Sequence, residues 1–130
     1  MENQRRYKNR HYLRKRIIWN GKLSKIEKDI KHYSFNTVNV STGGVLIHTQ
    51  AELEQDSTIQ LVIFAFDDIK NKELPIKINA RVIHVAKISM QQTESQYDFQ
   101  DSKQVYQAGL EFDDLSPDTS EFLTNIILAY

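Results

Sequence analysis

The chain has 130 residues with 17 Lys+Arg, 17 Asp+Glu and no cysteine, so its formal net charge is zero. This length suits one domain, and 40% hydrophobic with 26% charged residues is the composition of an ordinary folded protein. Disulfide scaffolds, thiolate zinc sites and cysteine nucleophiles are excluded, and no apolar run reaches the roughly 20 residues of a membrane helix.

The charge is distributed unevenly along the chain. Residues 1–32 contain 11 Lys+Arg and 3 Asp+Glu, whereas residues 33–130 carry a net charge of −8. We predict that residues 1–16 form a flexible basic arm that attracts an anion, with a solvated arm of no specific role as the alternative. The N-terminus also lacks the apolar segment of a secretory signal, so we expect a cytoplasmic protein without membrane insertion.

The first half of the remaining chain predicts four strands. Alternation from Ile17 to Leu23 favours a continuous strand over a hairpin turn at Asn20-Gly21. The other three are predicted at residues 31–40, 45–47 and 58–66, on the basis of strand-forming residues and an unbroken apolar run.

The second half predicts two strands and a helix. Residues 74–88 pair with the preceding run as a long hairpin, residues 89–104 read as a polar loop, and residues 105–112 form the last strand. Ser116-Pro117-Asp118 is typical of a helix start, and an apolar helical face follows. Residues 17–130 therefore predict a six-stranded antiparallel barrel with a C-terminal α-helix, an all-β fold apart from that helix.

Catalysis has little support in the sequence. The four histidines lack metal-ligand spacing, the acidic pairs fall in predicted turns, and no phosphate-loop, dinucleotide or nucleophile-elbow motif is present. We therefore expect a protein that is not an enzyme, with no catalytic residue, no metal site and no cofactor.

An RxxxR pattern occurs twice in the basic arm, at Arg6–Arg10 and at Arg10–Arg14. Arginine presents a planar fork of donors that matches phosphate oxygens and the O6/N7 edge of guanine, and it stacks on flat rings. By itself the pattern is common in basic tails.

A second pattern spans residues 39–44. Asn39 and Ser41 are two residues apart at a strand end, so their side chains face the same way. Gly43 and Gly44 either let a ligand approach the backbone or allow a turn with positive φ. A plain turn between two strands is the alternative interpretation.

Together the two patterns resemble the PilZ domain, the bacterial cyclic di-GMP receptor module, which is marked by RxxxR and [D/N]xSxxG. Asn39, Ser41 and Gly44 fill the second motif. Residues 79–84 and 108–112 are similar to later strands of that family, and the likeness extends over roughly residues 9–129. The resemblance implies a six-stranded barrel with a C-terminal helix, which agrees with the interpretation of the elements above.

The resemblance also implies a division of roles for the second messenger. Arg10 and Arg14 would bind phosphates and guanine edges, because Arg14 leads directly into the first strand; Arg6 with Arg10 is the alternative pair. Arg5 and Arg6 would be additional contacts, and so would His84.

In the second motif, Asn39 and Ser41 would bond a guanine edge or phosphate, and Gly43 and Gly44 would leave room for a ring. Many relatives have an acidic residue where this chain has Asn39. A carboxylate accepts two hydrogen bonds from guanine whereas Asn39 has one acceptor, so we expect a lower affinity.

The resulting hypothesis is a stand-alone receptor or adaptor that binds cyclic di-GMP and signals to an unidentified effector protein. One alternative is a nucleic-acid-binding barrel that stacks bases on Tyr7, Tyr12 and Trp19, although the acidic remainder of the chain disfavours it. Another is a PilZ-like protein-interaction module without ligand binding, which the presence of both motifs disfavours.

Overall fold

The computed structural model describes residues 14–25, 31–88 and 104–130. Most of the predicted arm (residues 1–13) and most of the predicted polar loop (residues 89–103) lie outside them. The elements within these ranges are β1 (Asn20–Lys25), β2 (His32–Val40), β3 (Gly44–Thr49), β4 (Thr58–Asp67), β5 (Lys72–Ile88), β6 (Val105–Phe112) and α1 (Pro117–Leu128).

Those strands form a closed antiparallel barrel in the order β1-β2-β3-β6-β5-β4. Four pairs join strands that are consecutive along the chain, and the pairs β1 with β4 and β3 with β6 close the ring. Closure leaves no unpaired edge among the six described strands. The predicted fold class, a six-stranded antiparallel barrel with a C-terminal helix, is confirmed.

The barrel core comes from the inward-facing residues of each strand. In β4, Ile59, Leu61 and Ile63 are buried, while Val62 and Phe64, which alternate with them, are only half-buried. The apolar run that predicted this strand therefore contains an inner and an outer face.

The first predicted strand begins later than its alternation indicates. β1 starts at Asn20, and Ile17 and Trp19 are buried but precede the ladder. Thr37 holds this segment: its N–H donates to the Trp19 carbonyl (2.8 Å), and its hydroxyl donates to the Ile17 carbonyl (2.6 Å). The alternation thus predicted burial correctly, and the hairpin turn at Asn20-Gly21 is wrong because both residues pair with β2 and β4.

The helix begins as its sequence predicts. The Ser116 hydroxyl accepts the Thr119 N–H (3.1 Å), and Pro117 occupies the first turn, where its missing N–H costs nothing. Leu123, Ile126 and Ile127 are buried against the barrel core. Within the described ranges, no helix is both long and apolar enough to span a bilayer.

Candidate functional site

A cavity of about 830 Å³ lies over the outer face of β3 and β6. It brings together every predicted ligand residue that the structure describes. These are Arg14, Asn39, Ser41, Gly43, Gly44 and His84. The other three predicted contacts, Arg5, Arg6 and Arg10, lie outside the described residues.

The floor of the cavity is a row of outward-facing residues across four adjacent strands. Asn39 of β2 pairs with Leu46 of β3, Leu46 pairs with Gly109 of β6, and Gly109 pairs with His84 of β5. Neighbouring strands lie about 4.8 Å apart, so the row spans about 14 Å between the first and last Cα atoms. Leu46 and Gly109 form a low floor between two polar side chains.

Both ends of this row depend on a shift in strand register. Thr37 pairs with Ile47 but Asn39 pairs with Leu46, so Val38 is an extra residue in β2. Simple alternation from the buried Thr37 would turn Asn39 inward, and the extra residue turns it outward. β-bulges re-aim side chains in this way beside many functional sites.

The same device operates on the far side of the cavity. Val82 pairs with Leu110 and His84 pairs with Gly109, so Ile83 is the extra residue in β5. Val82 is buried, and the shift allows His84 to face outward with its ring lining the cavity. The extra residue therefore interrupts the inward and outward alternation of the fifth strand after Val82.

The His84 ring lies close against the neighbouring strand because residue 109 is glycine. The His84 Nδ1 atom accepts the Gly109 N–H (3.1 Å), so the neutral ring carries its proton on Nε2. A Cβ atom at position 109 would lie 2.4 Å from the His84 Cε1 atom. Any larger residue would push the ring off the floor.

The loop between β2 and β3 is organised by Ser41. Its Oγ accepts the N–H groups of Gly43 (3.2 Å) and Gly44 (3.1 Å), and its hydroxyl donates to the Gly44 carbonyl (3.2 Å). The proton of this buried hydroxyl is thus used within the loop. Ser41 shapes the cavity rim in this structure, and its direct bond to a ligand stays a prediction.

Gly44 is required by packing. A Cβ atom there would lie 2.3 Å from the Leu110 carbonyl oxygen of β6. None of the glycines in the described ranges has positive φ, so the turn conformation left open by the sequence is not the reason for this residue. The glycine instead lets β3 approach β6 closely under the cavity.

Arg14 reaches the site through its neighbour in sequence. The Lys15 N–H donates to the Val40 carbonyl (3.0 Å) and the Val40 N–H donates to the Lys15 carbonyl (2.9 Å). Val40 lies between Asn39 and Ser41, so this bridge places Arg14 beside the second motif. The exposed Arg14 guanidinium forms no ion pair with the described residues and is available to an anion.

The polar lining residues that sequence reasoning missed include Gln107 and Glu111 of β6. Both lie two residues from Gly109 on the same face of the strand, and this alternation is the signal that could have found them. The Glu111 Oε1 atom accepts from the Arg81 Nη2 atom (3.3 Å) across β5 and β6.

Gln107 also leads to a buried histidine next to the site. Its Oε1 atom lies 3.0 Å from the His48 Nε2 atom, one strand away. Burial lowers the pKa of His48 below its ordinary value of 6.5, and the hydrogen bond to Gln107 opposes that shift in part.

The barrel topology, and the cavity on the outer face beside the N-terminal segment, agree with the family that the sequence matches. The PilZ domain family matches the sequence over residues 4–129. The chain belongs to the PilZ domain family. A search of curated proteins finds no match.

Solved structures with the same fold include three that are informative. The PilZ domain of YcgR from Escherichia coli with c-di-GMP is 16% identical, with a TM-score of 0.64 over 91% of this chain and 88% of that one. The Bacillus subtilis inhibitor of motility MotI/DgrA is 12% identical, with a TM-score of 0.63 over 91% of this chain and 48% of that one.

The third is the MrkH–c-di-GMP complex of K. pneumonia, which is 20% identical, with a TM-score of 0.57 over 91% of this chain and 52% of that one. This chain therefore spans about half the length of MotI/DgrA and of MrkH.

Proposed function

We propose that this chain is a receptor that binds cyclic di-GMP in the cavity over Leu46 and Gly109 and signals to a partner protein, without catalysing a reaction. The observation that carries the proposal is the convergence of Arg14, Asn39 and His84 on one cavity from three separate parts of the chain. Family membership and two structural neighbours solved with c-di-GMP support it.

The chemistry of the walls suits a cyclic dinucleotide. Arg14 offers a planar fork without an internal partner among the described residues, which suits phosphate oxygens or a base edge. The half-buried Asn39 amide likewise makes no hydrogen bond within them, so it can donate to and accept from a base. His84 adds an Nε2–H donor at the opposite wall.

The floor suits a flat ring. Gly44 and Gly109 carry no side chain above the sheet, and Leu46 and Ile83 contribute apolar surface to the same cavity. A base can therefore lie against the strands while its edges reach the polar walls. Ser41 supports this surface by holding the loop in place.

The expected interactions are strong enough for a micromolar receptor. A micromolar dissociation constant needs about −8 kcal/mol, and each charge-assisted hydrogen bond contributes about 1.5–3 kcal/mol. Arg14 together with Arg10, which we propose as the second arginine of the motif, would supply most of this total. Arg5 and Arg6 would add long-range attraction that is screened beyond about 8 Å at physiological salt.

We propose that the signal is a change in surface. The arm of residues 1–16 would order over the bound ligand, and an effector protein in the cytoplasm would recognise the ordered arm together with the barrel. Limited proteolysis of the arm with and without cyclic di-GMP tests this step. Equal cleavage rates would refute the ordering of the arm and leave ligand binding untouched.

The direct test is titration calorimetry with cyclic di-GMP, with GMP and cyclic di-AMP as controls. We expect binding of cyclic di-GMP and much weaker binding of GMP, which lacks the second phosphate and base. No binding of cyclic di-GMP, together with steeply salt-dependent binding of long oligonucleotides, would replace the proposal by a nucleic-acid-binding barrel.

A further inference from the structure

We propose that Glu111 determines which base the site accepts, by taking hydrogen bonds from the N–H groups on the edge of guanine. The inference rests on the proposed function and deepens it, since it concerns the selectivity of the same cavity. It uses a residue that belongs to neither sequence motif.

Glu111 is placed to contact whatever lies on the floor. It faces outward on β6, two residues from Gly109, and its Cα partner on β3 is Gly44, which has no side chain to shield it. Its carboxylate lines the cavity, and its side chain is 57% exposed. Among the described residues, Glu111 is the one acidic side chain that lines the cavity.

The carboxylate has acceptor capacity to spare. Arg81 uses only the Oε1 atom, at 3.3 Å, and no other described residue donates to Glu111. An ionised carboxylate has about four lone-pair sites on two oxygens and no proton to donate. Oε2 and part of Oε1 remain available to a ligand.

The charges of the walls decide which part of the ligand lies there. Arg14 attracts phosphate, whereas the negative Glu111 repels it, so the cavity has a cationic side and an acidic side. The acidic side suits a neutral group that presents N–H donors. In a cyclic dinucleotide this group is a base edge.

Guanine and adenine differ at this edge. Guanine presents N1–H and N2–H side by side, and a carboxylate can accept both. Adenine presents one amino group next to the lone pair of N1. That lone pair would face a carboxylate oxygen, and two acceptors cannot form a hydrogen bond with each other. A site whose polar group is left unpaired by the wrong base discriminates strongly against that base.

Asn39 cannot supply this discrimination. Its carboxamide has one acceptor and one donor group, so it can pair with the donor and acceptor of either purine. The Glu111 carboxylate, on the other side of β3 from Asn39, supplies the second acceptor that the Asn39 amide lacks. Selectivity for guanine is therefore assigned to β6.

The test is calorimetry of the full chain and its variants with cyclic di-GMP and cyclic di-AMP, read as the ratio of the two dissociation constants. Glu111→Gln keeps the size of the side chain and removes its charge. We expect the ratio to fall by roughly 10-fold or more, the effect of one charge-assisted hydrogen bond. Glu73→Gln, at an exposed position of β5, is the matched control and should leave the ratio unchanged.

The ratio also separates base selection from the release of Arg81. Loss of Glu111 frees Arg81 to attract any dianion, but the two ligands carry the same phosphates, so this gain cancels. Arg81→Gln breaks the ion pair while keeping the carboxylate, and we expect the preference for guanine to persist. If Arg81→Gln abolishes the preference as Glu111→Gln does, the ion pair is responsible and the proposal is overturned.

The remaining outcomes are also decisive. If Glu111→Gln leaves the ratio of the two dissociation constants unchanged while the unchanged protein binds cyclic di-GMP tightly, the role of Glu111 is overturned. The proposed function of the chain is not affected by this result. Failure of the unchanged protein to bind cyclic di-GMP overturns the proposed function and this inference together. Circular dichroism of each variant confirms that the barrel is intact.

Discussion

The two halves of the barrel differ in their regularity. The registers between β1 and β2, β1 and β4, and β4 and β5 run without a shift, whereas the β2–β3 and β5–β6 registers each shift by one residue. The shifts flank the β3–β6 pair on both sides, directly below the cavity. Both halves contribute to one core, and the irregular half in addition turns Asn39 and His84 outward at a local cost in ladder hydrogen bonds.

The largest expected effect is the loss of stability caused by a core substitution in the regular half of the barrel. Leu61 is fully buried between its partners Leu23 and Ile78. We expect Leu61→Ala to lower the free energy of unfolding by about 2–5 kcal/mol, because it removes buried surface and leaves a cavity. Denaturant unfolding measures the loss, and calorimetry should show an unchanged affinity for cyclic di-GMP in the folded protein.

Arg14→Ala should lower the affinity for cyclic di-GMP and leave the stability unchanged, which is the reverse of Leu61→Ala. We expect it to weaken binding of cyclic di-GMP by about 2–3 kcal/mol, which is on the order of 30- to 150-fold, because it removes charge-assisted hydrogen bonds to the ligand. Stability should hardly change, since the exposed Arg14 has no ion pair among the described residues.

The control for Arg14 is Lys70→Ala, in the exposed turn between β4 and β5. It removes the same charge far from the cavity, so calorimetry should show no change beyond screening. Equal affinity of the unchanged protein and Arg14→Ala would contradict the placement of the arginine motif.

A smaller change in affinity is expected from a substitution in the floor of the cavity. Gly109→Ala places a Cβ atom against the His84 ring and should displace it, which costs the hydrogen bond to Nδ1, about 1 kcal/mol. We expect an affinity for cyclic di-GMP that is lower by roughly 5- to 10-fold.

A double-mutant cycle isolates this contact. In a His84→Ala background the new methyl group has space, so Gly109→Ala should cost less than in the unchanged protein. Additive effects of the two substitutions on affinity would show that the ring does not depend on the glycine.

The smallest expected effect is a pH dependence next to the site. Because burial lowers the pKa of His48, the unfolded chain binds more protons than the folded protein below about pH 6.5, and stability falls as the pH drops through that range. At pH 7.5 the His48 side chain is neutral in both the folded and the unfolded state, so its effect on stability vanishes.

Thermal unfolding at pH 7.5 and 5.5 measures this loss. We expect His48→Gln to lose less stability on acidification than the unchanged protein. His32→Gln, at an exposed position, is the control and should lose as much stability as the unchanged protein. An identical loss in His48→Gln would assign the acid sensitivity to other groups.

The residues of the chain determine the strands and the helix on local grounds. The apolar run of β4, the strand formers of β2 and the Ser116-Pro117 start of α1 are signals of period and capping that need no distant partner, and the structure bears out their positions within a few residues. Ile17 and Trp19 show the limit of such signals, because the same alternation describes a buried segment that crosses to Thr37 without entering the ladder.

The motifs likewise predicted which residues belong together, but not how. Asn39, Gly44 and His84 meet only because the barrel sets β2, β3, β6 and β5 side by side, and an extra residue in β2 and in β5 reverses the facing that alternation predicts. The internal use of the Ser41 hydroxyl, the packing demand on Gly44 and the exposure of Glu111 to the cavity depend on cross-strand neighbours far away in sequence. Period and composition are local properties of the chain, whereas register and facing depend on strands separated by long loops, so only the closed tertiary structure decides them.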